Sequence, residues 1–184
     1  MTGVPEEHRE LAPKSLGFAV IVVSSSRYAA YKRGLEVGDE SGRRAVELIK
    51  SRRHRVEHYS IVPDDKMAIL RTVLEALSKS EVDAVVTIGG TGLSATDVTI
   101  ESLRPLFDKE IEGFGEVFRY LSYGQVGPAC YLSRATAGVV GGKVVYCIPG
   151  SPDAVELALK ELILPEAPHA VYIARRDLEA GERG

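Results

Sequence analysis

A glycine-rich segment with a single aspartate, TIGGTGLSATDVT at residues 87–99, is the part of this sequence best suited to chemistry. Its glycines allow the backbone to turn tightly and to bring N–H groups close to a ligand, and a nest of such groups binds anions. Side chains that bind phosphate or a metal ion lie beside them. The candidate residues are Gly89, Gly90, Thr91, Gly92, Ser94 and Asp97. An open alternative is a strand-to-helix turn in which glycine serves the backbone geometry alone.

A second pair of carboxylates, in VPDD at residues 62–65, follows another apolar stretch. A carboxylate from this pair and Asp97, from adjacent strand ends, could share a magnesium ion and a polyphosphate, because Mg²⁺ often takes one or two carboxylates together with substrate phosphates. An aspartate at the start of a helix can instead cap its first N–H groups. The spacing leaves both roles open for Asp64, Asp65 and Asp97.

Two nucleotide-binding motifs can be compared with the glycine segment. GTGLSA fits the GxGxxA pattern of dinucleotide-binding proteins, but that fingerprint needs a second strand ending in an acidic residue about 20 positions later. Residues 98–123 contain one proline, two glycines and short helical pieces instead. A nicotinamide-dependent enzyme is therefore a weak alternative. A P-loop is excluded, since no GK[ST] follows the glycines.

The elements that position these residues alternate along the first half of the chain. Apolar β-branched runs predict strands, and apolar residues at helical spacing predict helices. In chain order we expect a strand at 17–23, a polar loop at 24–38, a helix from about 39 to 52, a strand at 56–62, a helix over 64–80 and a strand at 83–88. This alternation implies right-handed crossovers and a parallel sheet, whose ligands bind outside the carboxyl ends of the strands.

The second half of the chain does not continue this alternation of strands and helices. IESLRPLF and EVFRYLS predict two short helices, interrupted by Pro105 and by the glycines of EGFGE. Two apolar runs joined by Gly141 and Gly142 predict a β-hairpin. Ser151 and Pro152 begin a helix that is expected to stop at Pro165. We therefore expect an α/β fold: a three-layer, doubly wound, mostly parallel sheet with helices on both faces and a small β-hairpin near the C-terminal third.

Composition limits the classes of partner. The length fits one domain, which we place at residues 16–176 between a flexible arm (1–15) and a flexible tail (177–184). A net charge of -3 gives no basic footprint for nucleic acid or an anionic membrane surface. Cys130 and Cys147 lack the spacing of a zinc site or a disulfide framework. With no signal peptide and no apolar run of about 20 residues, a cytoplasmic location is expected.

Six segments, in order, resemble the MoaB/MogA family of molybdenum cofactor biosynthesis proteins, which is related to the G domain of gephyrin. They are DESG (39–42), VPDD (62–65), TIGGTGLSATDVT (87–99), DKEIEGFGEVFRYLS (108–122), GPACYLSRATAG (127–138) and IPGSP (148–152). The resemblance covers nearly the whole chain from Gly17 to Arg175. The chain length and the C-terminal segment LPEAPHAVYIARR favour the MoaB branch.

The resemblance implies an adenylyl transfer. Family enzymes use Mg-ATP to place AMP on the terminal phosphate of molybdopterin, which releases pyrophosphate. By residue-for-residue match, Asp64 and Asp97 are the catalytic aspartates and are assigned to Mg²⁺ and nucleotide positioning. The other implied roles fall on phosphate-binding Gly89 to Gly92, on Pro149, Gly150 and Ser151 beside the adenylate, and on Ser133 and Arg134 near the pterin. An ordinary surface salt bridge is an equal alternative for Arg134.

One position departs from the family pattern. Many members have aspartate or asparagine after the first strand, where this chain has Ser25, whose hydroxyl can still bind phosphate or metal-bound water. The resemblance also implies a homo-oligomer, either a trimer or a dimer of trimers, and a contact with a molybdenum-insertion protein. The alternative within the same pathway is a catalytically silent molybdopterin-binding or scaffold protein.

Overall fold

The computed structural model describes residues 11–181 and contains one six-stranded sheet. Its strands are β1 (Gly17–Val23), β2 (Arg55–Val62), β3 (Ala84–Ile88), β4 (Lys109–Glu110), β5 (Thr136–Val140) and β6 (Lys143–Ile148). The strand order is β2-β1-β3-β6-β5-β4. Strands β2, β1, β3 and β6 are parallel neighbours, whereas β5 is antiparallel to both β6 and β4. The mostly parallel sheet and the C-terminal hairpin of β5 and β6 are as predicted.

Helices cover both faces of the sheet. They are α1 (Ser25–Lys32), α2 (Glu40–Ser51), α3 (Lys66–Leu77), α4 (Thr99–Leu103), α5 (Glu112–Val126), α6 (Pro152–Leu157) and α7 (Leu164–Gly181). Alternate residues of a strand point to opposite faces. In β1, Phe18 and Val20 therefore pack with α2, α5, α6 and α7, while Ala19 and Ile21 pack with α3 and α4. The three-layer prediction is confirmed.

The segment after β1 is a helix, not the predicted loop. Ser24 caps α1 by accepting a hydrogen bond from the Arg27 N–H group at 3.4 Å. No residue of α1 is buried. An amphipathic pattern reveals a helix only when one face is buried, so this helix left no periodic signal in the sequence.

Two further expectations for the C-terminal half were wrong. Helix α5 runs unbroken through Gly113 and Gly115, because it buries Phe114 and Phe118, which outweighs a glycine cost of about 1 kcal/mol each. Pro165 does not stop the helix that begins at Pro152. A π-helical turn, Ala158–Ile163, intervenes, and Pro165 becomes the second residue of α7, where a missing N–H group breaks no α-helical bond.

The chain ends bear on the assigned domain limits. Helix α7 continues to Gly181, so its backbone extends into the segment 177–184 that was assigned as a tail. The first ten residues of the assigned arm and residues 182–184 lie outside the described residues. Among residues 11–181, no helix combines the length and the apolar character needed to cross a membrane.

Candidate active site

The candidate residues gather at one edge of the sheet. Strands β2, β1, β3 and β6 are parallel neighbours, so their carboxyl ends meet there and bring the following loops together. The segments that follow these strands carry Asp64, Ser25 at the start of α1, Gly89 to Gly92, and Pro149 to Ser151. Because β5 is antiparallel to β6, its amino end lies at the same edge. Ser133 and Arg134, which precede β5, therefore join the group.

A cleft of about 450 Å³ opens between these loops. It is lined by Val23, Ser24, Arg27, Gly89, Gly90, Thr91, Gly92, Asp97, Leu132, Ser133, Arg134, Pro149 and Gly150. Ser151 instead lines a neighbouring cleft of about 330 Å³ that shares Ser133 and Pro149. Ser25, Asp64 and Ser94 do not line either cleft. Asp64 lies beside Gly90 and Ser94 is bonded to Asp97, both of which line the first cleft, and Ser25 is bonded to Asp64.

Ser25 and Asp64 form a closed pair across the ends of β1 and β2. Asp64 Oδ2 accepts hydrogen bonds from the Ser25 backbone N–H at 2.7 Å and from Ser25 Oγ at 2.8 Å. The Asp64 N–H group lies 3.0 Å from Ser25 Oγ and donates to it. The serine that departs from the family pattern thus orients the neighbouring carboxylate.

Asp65, and not Asp64, is the residue that caps a helix. Asp65 accepts a hydrogen bond from the Ala68 N–H group at 2.8 Å and is the N-cap of α3. Asp64 makes no capping bond to that helix within the described chain. One residue of the pair serves the helix, and the other is left to face the glycine turn.

Asp97 belongs to a loop turn and does not cap helix α4. Its Oδ2 accepts a hydrogen bond from the Ser94 N–H group at 2.9 Å, and its own N–H group donates to the Ser94 carbonyl at 3.0 Å. Val98 is the N-cap residue of α4 and makes no side-chain capping bond. The hydroxyls of Ser94 and Thr96 are 3.0 Å apart in the same turn. These bonds fix Asp97 at the mouth of the cleft.

Both carboxylates contact the same glycine turn. A Cβ atom placed on Gly90 would lie 3.2 Å from Asp64 Oδ1, and one on Gly92 would lie 2.7 Å from Asp97 Oδ2. Gly90 also has a positive φ of 63°, which strains other residues. Asp64 and Asp97 therefore approach one turn from two sides, rather than lying at opposite rims of the molecule.

The glycine turn is held by its carbonyls, which leaves N–H groups unused. Buried Thr99 donates from its N–H group to the Gly90 carbonyl and from its hydroxyl to the Gly89 carbonyl, both at 2.9 Å. Between residues 11 and 181, the N–H groups of Gly90, Thr91 and Gly92 have no hydrogen-bond acceptor. Such a run of free donors suits an anion. The sequence analysis missed Thr99, although it ends the glycine segment.

A second buried hydroxyl fixes the loop after β6. Ser41 Oγ donates to the Gly150 carbonyl at 2.7 Å, and Ser41 is fully buried at the start of α2. Gly150 in turn packs on Gly89, since a Cβ atom on Gly150 would lie 3.2 Å from the Gly89 Cα atom. The loop of Pro149 to Ser151 and the glycine turn are thereby locked against each other. The sequence analysis quoted Ser41 only within DESG and gave it no role.

Arg134 is paired in the structure with Glu101, to which its guanidinium donates a short hydrogen bond. Burial alone would raise the pKa of Glu101, but the hydrogen bond from Arg134 and nearby positive charge outweigh it and lower the pKa. The carboxylate therefore stays ionised and holds the arginine at the cleft. The sequence left two roles open for Arg134, phosphate binding and a salt bridge. In the structure Arg134 lines the cleft and also forms a salt bridge.

The residues fit a magnesium ion that substrate phosphates help to hold. Within the described chain, Asp64 Oδ1 and Asp97 Oδ1 accept no hydrogen bond, so each carboxylate keeps one oxygen for a metal. The described residues contain no group of three or more His, Cys, Asp or Glu side chains placed to bind a metal. Two carboxylates with substrate oxygens are a common arrangement for Mg²⁺, whereas an all-protein cage is not.

Comparison with known proteins assigns the chain to a family. Residues 19–169 match the profile described as a probable molybdopterin binding domain. Molybdenum cofactor biosynthesis protein B of Bacillus cereus is 44% identical over 171 residues, which is 92% of this chain and 97% of the relative. The molybdopterin adenylyltransferase of Pyrococcus furiosus is 45% identical over 174 residues, covering 92% and 98%.

A solved structure agrees with these sequence matches. The crystal structure of a molybdenum cofactor biosynthesis protein B superposes with a TM-score of 0.82 and 44% identity, covering 90% of this chain and 99% of that one. The similarity therefore extends over most of both chains. The chain belongs to the MoaB/MogA family of molybdenum cofactor biosynthesis proteins, the family that its sequence motifs had indicated.

Proposed function

We propose that the protein catalyses the Mg-ATP-dependent adenylylation of molybdopterin, giving adenylyl-molybdopterin and pyrophosphate. The observation that carries the proposal is the pairing of Asp64 and Asp97 around a glycine turn whose N–H groups are unused. The name of the relative from Pyrococcus furiosus, a molybdopterin adenylyltransferase, supports the same reaction.

The chemistry needs positioning and charge neutralisation more than a covalent nucleophile. An oxygen of the molybdopterin phosphate attacks the α-phosphorus of ATP, a new P–O bond forms, and the bond to the β-phosphate breaks to release pyrophosphate. Bound Mg²⁺ would neutralise phosphate charge, and Asp64 and Asp97 would hold it. The N–H groups of Gly90, Thr91 and Gly92 bind the phosphate oxygens, where fixed donors stabilise developing charge.

The remaining site residues support this arrangement. Ser25 orients Asp64, and Ser94 orients Asp97. We assign the loop of Pro149, Gly150 and Ser151 to the adenylate, and Ser133 with Arg134 to the pterin side of the cleft. In this assignment Arg134 exchanges part of its bond to Glu101 for substrate phosphate.

The test is transfer by the purified protein with molybdopterin, ATP and Mg²⁺, followed by detection of the adenylylated product. We expect Asp97→Ala to reduce transfer at least about 100-fold, as losses of charge-stabilising groups do. The loss of its turn hydrogen bond costs about 1 kcal/mol of unfolding free energy, so the variant should fold.

Asp108→Ala is the matched control. Asp108 also accepts a loop N–H group, that of Gly141 at 2.7 Å, but it does not line the cleft. We expect it to lose similar stability and keep its transfer rate. If the wild-type protein binds molybdopterin and ATP without forming product, the scaffold function replaces the enzyme.

We also propose that the protein forms a homo-oligomer and that it is located in the cytoplasm. An exposed apolar face on α5 and the turn after it supports a homo-oligomer, a trimer or a dimer of trimers. Both cysteines are free and buried, which supports the cytoplasm, where thiols stay reduced. A contact with a molybdenum-insertion protein stays a prediction from the family resemblance.

A further inference from the structure

The charged residues that line the candidate active site are Arg27, Asp97 and Arg134. ATP and the molybdopterin phosphate bring several negative charges into this cleft, which already holds the carboxylate of Asp97. Two phosphate groups approach each other only where positive charge or aimed donors offset their repulsion. The two arginines are therefore the protein groups to compare.

Their guanidinium groups differ in which of their nitrogen atoms donate hydrogen bonds to the protein. Arg134 donates directly to Glu101, so its charge is paired. Arg27 donates only from Nε, to the Gly38 carbonyl at 3.2 Å. Within residues 11–181, no hydrogen bond uses its two terminal amino groups. A guanidinium that is anchored at Nε and free at its terminal nitrogens is suited to bidentate phosphate binding.

Arg27 also forms a long ion pair with the buried carboxylate of Asp39, through the same Nε atom. Asp39 Oδ1 is 3.9 Å from Arg27 Nε, beyond hydrogen-bond distance. Asp39 is itself buried and accepts hydrogen bonds from the Tyr59 hydroxyl and, at 3.0 Å, from the Gly42 N–H group. Asp39 thus pairs with the arginine at Nε and accepts its hydrogen bonds from other donors, so the terminal nitrogens of Arg27 keep their donors.

From these observations we infer that Arg27 binds the phosphate chain of ATP in the cleft that Gly90, Thr91 and Gly92 also line. The inference rests on the proposed adenylyl transfer and assigns to it a residue that the sequence analysis gave no role. It also explains why Arg27 is anchored to the Gly38 carbonyl, since a prearranged side chain loses less entropy on binding.

The test measures binding of α,β-methylene-ATP, which cannot transfer AMP, by titration calorimetry in the presence of Mg²⁺. We expect Arg27→Gln to raise the dissociation constant at least about tenfold, because the variant loses charge-assisted hydrogen bonds to phosphate. Arg27→Lys keeps the positive charge but not the two parallel N–H donors of a guanidinium. Its dissociation constant should therefore lie between those of the wild type and Arg27→Gln. The binding of AMP should change less, because AMP lacks the β- and γ-phosphates.

Arg33→Gln is the matched control, because it removes the same charge next to the end of the same helix and Arg33 does not line the cleft. Its dissociation constant should stay within about twofold of the wild-type value, less than 1 kcal/mol. Equal affinities for wild type and Arg27→Gln would overturn the inference, as would an equal loss in Arg33→Gln. If Arg27→Gln fails to fold, the comparison of Arg27→Lys with wild type decides.

This experiment separates the inference from the proposed function. A wild-type protein that binds the analogue through Arg27 but forms no adenylylated molybdopterin refutes the transfer and leaves the role of Arg27 intact. A protein that transfers AMP while Arg27→Gln keeps full affinity refutes only the role of Arg27.

Discussion

At the scale of single residues, the site depends on which of several aspartates faces the ligand. Asp64 and Asp65 are adjacent in sequence, yet one is bonded to Ser25 and touches the glycine turn, and the other caps α3. Asp97 does not cap a helix, because its carboxylate accepts the Ser94 N–H group within a loop turn. Identical side chains thus take different roles because their backbone positions differ.

This division of roles predicts opposite effects for two neighbouring substitutions. Asp64→Asn keeps the shape of the side chain but removes its charge, so we expect transfer to fall at least about 100-fold with little change in thermal unfolding. Asp65→Ala removes a helix cap, so we expect a loss of about 1 kcal/mol in unfolding free energy and a normal transfer rate per folded molecule.

Transfer assays and thermal melts of the two purified variants check this prediction. Each variant serves as the control for the other, because the change lies one residue away in the same loop. The assignment is wrong if Asp65→Ala abolishes transfer while Asp64→Asn retains it.

At the scale of elements, the turn between α2 and β2 contains a buried histidine. His54 Nδ1 accepts a hydrogen bond from the Leu16 N–H group at 3.1 Å, and its ring centroid lies 5.4 Å from that of Phe18. Burial, with the charges of Arg55 and Arg52, lowers the pKa of His54. This accepting nitrogen must be unprotonated, so the turn is built around neutral histidine.

The lowered pKa of His54 predicts that acid destabilises the fold. The unfolded chain binds the proton near pH 6.5, whereas the folded chain resists it until a lower pH. The stabilisation is complete above about pH 6.5 and is lost as the pH falls through the folded-state pKa. Burial and Lys79 also lower the pKa of His58, which adds a slope of the same sign.

Urea unfolding at several pH values between about 5 and 8 measures this slope. In His54→Asn the amide oxygen can replace the accepting nitrogen but does not titrate, so we expect a smaller fall in unfolding free energy with acid. Equal pH slopes for wild type and His54→Asn would show that His54 does not contribute.

At the scale of the whole molecule, one apolar face is left uncovered. Exposed apolar side chains recur every three residues along α5, which spreads them over its solvent-facing side, and they continue into the 3₁₀ helix Gly127–Leu132. They are Val117, Tyr120, Tyr123, Val126, Tyr131 and Leu132, and their exposed fractions range from 44% to 79%. A concentration of exposed apolar side chains marks a candidate interaction surface. Leu132 also lines the candidate active site, so the face borders the cleft.

We expect the wild-type protein to have a mass of three or six chains by light scattering. The double substitution Tyr120→Glu with Tyr131→Glu should lower that mass toward one chain of 19.9 kDa and leave the circular dichroism spectrum unchanged, because both side chains are mostly exposed. Tyr31→Glu is the control, since Tyr31 is 62% exposed on α1, away from this face. An unchanged mass in the double variant would place the contact elsewhere.

Several features of the protein follow from its sequence alone. Alternating apolar runs and amphipathic helices predicted the parallel sheet, paired glycines predicted the hairpin of β5 and β6, and six ordered segments indicated the family. These signals are local, because hydrophobic periodicity and turn residues act over a few positions. They also placed the glycine segment correctly at a strand end, because the carboxyl ends of parallel strands share one edge.

Other features were decided by tertiary structure. Helix α1 buries nothing and gave no periodic signal, and the π-helical turn before Pro165 has no sequence pattern that we recognised. The different roles of Asp64 and Asp65 depend on Ser25, which bonds Asp64. Ser25 is 39 positions away from Asp64 and is brought close only by the pairing of β1 with β2. Arg27 and Thr99 acquire their places in the same way. Contacts between distant segments form only when the sheet assembles, so residue types and spacing cannot specify them in advance.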